Sequence, residues 1–214
     1  MWVGSHRCMA DLEPVHRVVL LAGPSGSGKS RLARESGLPV LNLDHFYRDG
    51  DDPDMPRHPE LSIVDWDDPR AWDAGRAVDT LTELCRTGSA RIPVYDIAHD
   101  RATGSEPFTV GAAPVFIAEG LFAAEIVRDC RAHGILADAI VLHRKPWKNF
   151  LRRLARDLAE RRKPPLTLLR RGLALLRAER AVVRRQRELG ARPADAAEVR
   201  RALRAAAETP SGMP

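Results

Sequence analysis

The segment from Gly23 to Ser30, Gly-Pro-Ser-Gly-Ser-Gly-Lys-Ser, constrains the fold of this chain more than any other. It fits the pattern G-x-x-x-x-G-K-[ST] and lies between an apolar run at 17–22 and a helical pattern at 29–35. Its glycines let backbone N–H groups converge at a helix N-terminus, where phosphate oxygens find hydrogen bonds and the positive end of the helix dipole. The sequence therefore predicts a strand, a phosphate-binding loop and a helix in direct succession.

This loop carries a nucleotide-binding prediction. In such loops the lysine reaches the β- and γ-phosphates, and the hydroxyl of the last residue coordinates Mg²⁺. We therefore expect Lys29 to bind the phosphates of a nucleoside triphosphate and Ser30 to hold the metal ion. The predicted nucleotide-binding residues are Gly23, Pro24, Ser25, Gly26, Ser27, Gly28, Lys29, Ser30 and Arg31.

Short apolar runs alternate with helical patterns, which is typical of a parallel sheet covered by helices. Strands are predicted at 17–22, 39–43, 114–118 and 137–142, a short edge hairpin at 91–95 and 107–110, and helices at 29–35, 71–86, 147–162, 166–189 and 194–207. The expected fold class is α/β: a P-loop NTPase of three α/β/α layers with a mostly parallel sheet and a helical, arginine-rich C-terminal lid region.

One domain is predicted over residues 17–208, with the lid and C-terminal helices at about 146–208. Residues 1–16 lack the apolar segment of a signal peptide and are expected to be a tail, as are residues 209–214. Residues 48–70 contain seven aspartates without a regular period, so a long functional loop is expected there.

Charge is distributed unevenly along the chain. Residues 1–142 contain 14 Lys/Arg and 22 Asp/Glu, a balance of −8, whereas residues 143–214 contain 20 and 7, a balance of +13. A basic C-terminal third suits nucleic-acid binding, the phosphates of a nucleotide, or solvated helix faces. Nucleic acid is not expected as a partner, and homo-oligomerisation through the leucine-rich stretch 166–189 stays open.

Membrane and extracellular classes are disfavoured. No apolar run reaches the roughly 18 residues that span a bilayer, so no membrane partner is expected. The three cysteines, Cys8, Cys85 and Cys130, lie far apart without metal-binding spacing. Reduced thiols and a cytoplasmic location are therefore expected.

Two carboxylates follow predicted strands: Asp44 after 39–43 and Glu119 after 114–118. Because the carboxyl ends of parallel strands meet at one edge of the sheet, both are expected beside the phosphate loop. Phosphoryl transfer needs a group that orients or deprotonates the acceptor, for which Asp44 is the candidate, and a metal ligand, for which Glu119 is the candidate. The alternatives are a turn cap for Asp44 and an ion pair with an arginine for Glu119.

Six motifs follow one another along the chain: 23–30, Asp44-His45-Phe46-Tyr47, Asp65–Asp73, Pro93-Val94-Tyr95-Asp96, Glu119-Gly120 and Arg152–Arg161. This ordered set resembles that of uridine kinases, which are P-loop kinases closely related to phosphoribulokinases. The resemblance covers roughly residues 17–163 and depends on the ordered occurrence of the motifs. It implies an ATP- and Mg²⁺-dependent kinase that phosphorylates the 5′-hydroxyl of a pyrimidine nucleoside, uridine or cytidine.

The resemblance also implies roles for residues around the acceptor. Asp44 is the implied catalytic base on the nucleoside 5′-hydroxyl, and Tyr47 lines the nucleoside pocket. Asp67 is implied to bind the ribose hydroxyls, with Trp66 packed beside it.

Further implied roles concern the base and the transferring phosphate. Tyr95 is implied to stack on the base and His99 to form a hydrogen bond with it. Arg153, Arg156 and Arg161 are implied to form a lid that neutralises the phosphate, and their spacing places them on one broad helix face.

Three features depart from the family pattern. Ile97 stands where an aromatic is usual, and His99 follows Tyr95 one position early. Lys163 precedes two prolines, which changes the lid hinge, and no late strand is recognised at 190–193. Two alternatives therefore stay open: a P-loop kinase of another small alcohol or sugar phosphate, and a regulatory NTPase with a basic helical binding surface.

Overall fold

The computed structural model describes residues 13–57, 63–143 and 180–208. Its strands are β1 Arg17–Ala22, β2 Val40–Asn42, β3 Ser89–Asp96, β4 Arg101–Thr109, β5 Val115–Gly120, β6 Leu136–Leu142 and β7 Arg192–Ala194. Five of them form a parallel sheet in the order β2-β5-β1-β6-β7, and β3 and β4 form a separate antiparallel pair.

Helices cover both faces of the five-stranded sheet. They are α1 Lys29–Glu35, α2 Ala74–Thr87, α3 Val127–Ala132, α4 at residues 180–188 and α5 Ala196–Glu208. Alternate residues of β1 point to opposite faces, so Val18 and Leu20 pack with α2 and α3, whereas Val19 and Leu21 pack with α1 and α5. The predicted α/β fold with three layers is therefore confirmed.

The start of α2 differs from its prediction at residue 71. Asp73 is the N-cap and accepts a hydrogen bond from the Arg76 N–H at 2.9 Å. Pro69–Ala71 forms a separate 3-10 turn, whose cap Asp68 accepts from the Arg70 N–H. The 3-10 turn and α2 bury residues at a spacing that also fits one continuous helix. The apolar pattern alone therefore did not show that two separately capped elements are present.

The hairpin and the end of the chain correct two further predictions. β3 and β4 form a sheet of their own rather than an edge of the main sheet. The stretch 190–193 was expected to lack a strand, but β7 pairs in parallel with β6. β7 has three residues, of which only Ala194 is buried, and Pro193 is tolerated because β7 is an edge strand. Such a strand has no apolar alternation that would reveal it.

Other predictions fall partly outside the described residues. The helix expected at 147–162, and residues 166–179 of the next one, lie outside them, whereas residues 180–188 are helical as predicted. α3 was not predicted. At the end of the expected N-terminal tail, Val15 and His16 both donate backbone N–H groups to the Cys85 carbonyl at 2.9 Å. Nowhere in the described ranges is a helix long and apolar enough to cross a membrane.

Candidate active site

The phosphate-binding loop joins the carboxyl end of β1 to α1. Gly28 is the N-cap of α1 at φ 93°, a left-handed conformation that favours glycine. The side chain of Lys29, the first helical residue, is only 8 % exposed. Ser27 is also buried, and within the described residues its hydroxyl has no hydrogen-bond partner. A buried cation and an unsatisfied buried hydroxyl are groups that a bound phosphate would satisfy.

Asp44 lies on a 3-10 helix, Leu43–Phe46, directly after β2. Asn42 caps this turn by accepting the Asp44 N–H at 2.9 Å, so the Asp44 carboxylate is not the cap. Burial raises the pKa of Asp44, while the nearby Lys29 ammonium and Leu121 backbone N–H act to lower it. The structure thus brings Asp44 together with the lysine of the phosphate loop.

Glu119 ends the central strand β5 on the same edge of the sheet. It stands in register with Leu21 of β1 and with Asn42 of β2. Its side chain is 6 % exposed, and among the described residues no arginine forms an ion pair with it. The parallel register therefore places the buried carboxylate of Glu119 beside the phosphate loop. The next residues, Gly120 and Leu121, begin the loop that lies against Asp44.

Because Gly120 has no side chain, the 3-10 helix that carries Asp44 can lie close to the end of β5. A Cβ at this position would lie 2.9 Å from Leu43 Cβ and 3.4 Å from Asp44 Oδ1. Leu43 is fully buried and cannot move without shifting the 3-10 helix that carries the carboxylate. Close approach of β5 to the Leu43–Phe46 turn thus requires glycine here.

Gly120→Ala is therefore expected to displace Asp44. Overpacking of this kind costs about 1–3 kcal/mol of stability, and a displacement near 1 Å in an active site can cost roughly 10²-fold in rate. We expect a lower Tm together with a fall in kcat, both measured on the purified variant. Gly104→Ala is the control, because a Cβ at this exposed strand position meets nothing within 4 Å. Equal kcat values for both variants would contradict the tight placement of Asp44.

Aromatic side chains form a cluster next to Asp44. The ring centroid of Tyr47 lies 5.7 Å from that of Trp66 and 5.9 Å from those of Tyr95 and Phe122. The Tyr47 hydroxyl donates to the Trp66 carbonyl at 3.3 Å, and the Tyr95 hydroxyl to the Arg48 carbonyl at 3.2 Å. Burial raises the pKa of Tyr47 above its usual range and that of Tyr95 to about 12, so both phenols stay neutral donors. We call Tyr47, Trp66, Tyr95 and Phe122 the aromatic wall.

Asp67 lies close to this aromatic wall. It is exposed, directly follows Trp66, and its charge contributes to raising the pKa of Tyr47. The structure therefore brings together four residues that the sequence analysis assigned to the acceptor: Tyr47, Trp66, Asp67 and Tyr95.

Two other predicted site residues have different partners. His99 lies in the exposed turn between β3 and β4, where its Nδ1 is 2.6 Å from Asp96 Oδ2. The His99 ring holds the pKa of Asp96 below its usual range. Arg31 is exposed and pairs with Glu35 of its own helix at 2.9 Å. The predicted lid residues Arg153, Arg156 and Arg161 lie outside the described residues.

Sequence reasoning did not find two contributors to this site. The first is the backbone N–H of Leu121, which no sequence pattern marks because nearly every residue type carries such a group. The second is Phe122, which cannot be told in sequence from an ordinary core phenylalanine. The motif Glu119-Gly120 marks the end of β5. It is the sequence signal that could have indicated that the next two residues belong to the site.

The site has the features of a P-loop kinase. A phosphate loop follows the first strand, a carboxylate lies near its lysine, and the aromatic wall is adjacent, all at one edge of a parallel sheet. The sequence profile of the Phosphoribulokinase / Uridine kinase family matches residues 18–164. The chain belongs to this family and is an ATP-dependent kinase. The regulatory NTPase interpretation is thereby set aside.

The chain is also similar to individual proteins and to a solved structure. The chain is 32 % identical over 170 residues to the uridine kinase of Deinococcus deserti, an alignment that covers 75 % of this chain and 77 % of that protein. It is 29 % identical over 153 residues to the uridine kinase of Limosilactobacillus reuteri, covering 67 % and 66 %. Phosphoribulokinase from Rhodobacter spheroides has a solved structure similar to 72 % of this chain and 62 % of its own, with a TM-score of 0.42 and 16 % identity.

Proposed function

We propose that this protein is a uridine kinase, which transfers the γ-phosphate of ATP to the 5′-hydroxyl of uridine or cytidine. The observation that carries the proposal is the half-buried Asp44 carboxylate beside Lys29 of the phosphate loop, with the aromatic wall next to it. The uridine kinases among the relatives support a nucleoside as the acceptor.

In this proposal Asp44 accepts the proton of the acceptor hydroxyl. Burial raises the pKa of Asp44, which makes it a stronger base than an aspartate in water. Lys29 binds the phosphate oxygens, where charge is redistributed as the phosphoryl group is transferred. Tyr95 provides a ring face on which the pyrimidine stacks, and Tyr47 lines the pocket beside it. The hydrogen bonds of both hydroxyls to backbone carbonyls hold the rings in place. Arg153, Arg156 and Arg161 are the proposed lid.

Mg²⁺ is the proposed metal, and the residues present fit it. Mg²⁺ is usually bound by one or two carboxylates together with substrate phosphates and water. Ser30, the first residue after Lys29, offers a hydroxyl, and Glu119 offers a buried carboxylate that is free of arginine within the described residues. When bound, the ion neutralises charge on the β- and γ-phosphates.

The proposal is tested by an ADP-release assay with ATP, Mg²⁺ and a panel of acceptors. Uridine and cytidine are expected to stimulate ADP release well above the rate without acceptor, with the 5′-monophosphate as product. Purine nucleosides and small alcohols serve as comparison acceptors. Absence of stimulation by either pyrimidine nucleoside would refute the nucleoside assignment.

Asp67 is proposed to recognise the ribose hydroxyls. A site built to hydrogen-bond a substrate hydroxyl rejects analogues that lack it by a factor of up to about 10⁴–10⁵. We therefore expect 2′-deoxyuridine and thymidine to be poor acceptors. Asp67→Ala is expected to lose most of the kcat/KM for uridine, together with this discrimination, because the partner of the hydroxyls is removed.

The matched control for Asp67→Ala is Asp54→Ala, another exposed aspartate of the stretch 48–70. Its kcat/KM and its preference for uridine are expected to match the unaltered enzyme, and both variants should bind ATP normally. Full retention of the 2′-hydroxyl preference in Asp67→Ala would refute this role.

A second acceptor class is favoured by the position of His99. Its Nδ1 is engaged by Asp96 in an exposed turn, and Ile97 nearby is also exposed. A different small alcohol would need no ring contact from this turn. ADP release with a non-nucleoside alcohol, and none with uridine or cytidine, would establish that alternative.

A further inference from the structure

Gln186 is a buried polar residue on α4, a helix that sequence reasoning did not connect with the site. Its side chain is 4 % exposed, and Nε2 donates to the Leu121 carbonyl at 2.8 Å. Because a carbonyl oxygen only accepts hydrogen bonds, this contact fixes the orientation of the amide. A buried amide directed at one loop carbonyl holds that loop in a single position.

The other side of the same loop faces Asp44. The backbone N–H of Leu121 lies near the Asp44 carboxylate and acts to lower its pKa. The preceding residue, Gly120, lies beside the same carboxylate, since a Cβ at this position would be 3.4 Å from Asp44 Oδ1. The two contacts of Leu121 lie on either side of its Cα: the N–H belongs to the Gly120–Leu121 peptide and the carbonyl to the Leu121–Phe122 peptide. Gln186 and Asp44 are therefore connected through a single residue.

The neighbouring residue on α4 strengthens this connection. Arg185 forms a two-point ion pair with Glu125, at 2.9 and 3.1 Å, in the loop that follows β5. Arg185 also lies near enough to Asp68 for each to shift the pKa of the other, which links α4 to the segment that carries Asp67. Two consecutive residues of α4 thus hold the loop on which Asp44 depends.

We propose that Gln186 is a positioning residue for phosphoryl transfer. By holding the Leu121 carbonyl it restricts the backbone of Leu121, so that the N–H of this residue stays beside the Asp44 carboxylate and the base stays aligned. This inference rests on the proposed function, in which Asp44 is the base. It also gives α4, in the basic C-terminal part of the chain, a role in the chemical step.

The test replaces Gln186 with methionine, which keeps the length of the side chain and removes the donor. We expect kcat to fall by about ten- to a hundredfold, since misplacement of a catalytic group is costly, while the affinity for ATP stays unchanged. The loss of the aligned N–H is expected to raise the pKa of Asp44. The acidic limb of the pH profile of kcat/KM should then move upward by about 0.5–1 pH unit.

A merely structural role would lower Tm without moving the acidic limb. Arg187→Ala is the control, because Arg187 is exposed on the same helix, and we expect its kcat and pH profile to be unaltered. If the methionine variant does not fold, Gln186→Leu replaces it with the same expectations. An unshifted acidic limb, or an unchanged kcat, in the folded variant would overturn the proposal.

Asp44→Asn separates this inference from the function on which it rests. If Asp44→Asn retains kcat, the assignment of the base is wrong, and the proposal for Gln186 is overturned with it. If Asp44→Asn loses kcat while Gln186→Met behaves like the unaltered enzyme, only the role of Gln186 is overturned.

Discussion

The Lys29→Ala variant is expected to lose about 10²–10³ in kcat, the usual effect of removing one preorganised donor from a transition state. Lys29 begins α1 directly after the phosphate loop, and its burial removes most of the water that would otherwise screen its charge. Its attraction to the transferring phosphoryl group is therefore strong, and no neighbour in the loop replaces it. The measurement is the steady-state rate of ADP release with a saturating acceptor.

The fold is expected to survive this change. Removing a buried cation also removes the cost of its desolvation, so Tm should not fall by more than a few degrees. Arg34→Ala is the matched control, since Arg34 is an exposed cation on the last turn of α1. A kcat close to that of the unaltered enzyme in a folded Lys29→Ala variant would contradict the assignment of the phosphate loop.

Asp44→Asn is expected to reduce kcat by about 10²–10⁴ while leaving the affinity for ATP nearly intact. The amide keeps the size of the side chain but cannot take up the proton of the acceptor hydroxyl. Binding of ATP, measured by calorimetry, separates this effect from a loss of nucleotide binding. Loss of ATP affinity with retained turnover would instead identify Asp44 as a structural or metal-associated residue.

The raised pKa of Asp44 predicts how the pH dependence of activity and stability differs between the unaltered enzyme and this variant. Activity requires the ionised base, so kcat/KM of the unaltered enzyme should fall as pH decreases through this raised pKa, and that limb should disappear in Asp44→Asn. A carboxyl whose pKa is higher in the folded state favours folding at low pH, and that contribution is lost as pH rises through the folded pKa. Asp44→Asn is therefore expected to have an equal or higher Tm at neutral pH, where the ionised carboxylate destabilises the folded state.

Much of the site could be predicted because two patterns have a direct physical cause. The G-x-x-x-x-G-K-[ST] pattern requires a strand before it and a helix after it, and β1 and α1 lie at those places. Carboxylates that follow parallel strands meet at one edge, and the register of β5 with β1 and β2 brings Glu119 there. Asp44 lies two residues beyond its strand, because β2 ends at Asn42 and a 3-10 helix begins at Leu43.

Other features could not be predicted, because they depend on contacts between distant parts of the chain. The His99 ring pairs with Asp96 in an exposed turn, a contact that the spacing of residues does not reveal. Its hydrogen bond with the base stays a prediction. β7 was missed because its pairing with β6 joins residues more than 50 positions apart and needs little apolar pattern of its own.

The sequence alone determined the fold class, the phosphate loop and the family, because each depends on local patterns of glycine, lysine and apolar residues. Tertiary structure alone decided the surroundings of Asp44: Gly120 leaves room for it, the Leu121 N–H lies near it, and Gln186 binds the Leu121 carbonyl from 65 positions away. The physical reason is that burial and backbone hydrogen bonds set the position and the pKa of a carboxylate, and both are properties of the packed chain rather than of any segment.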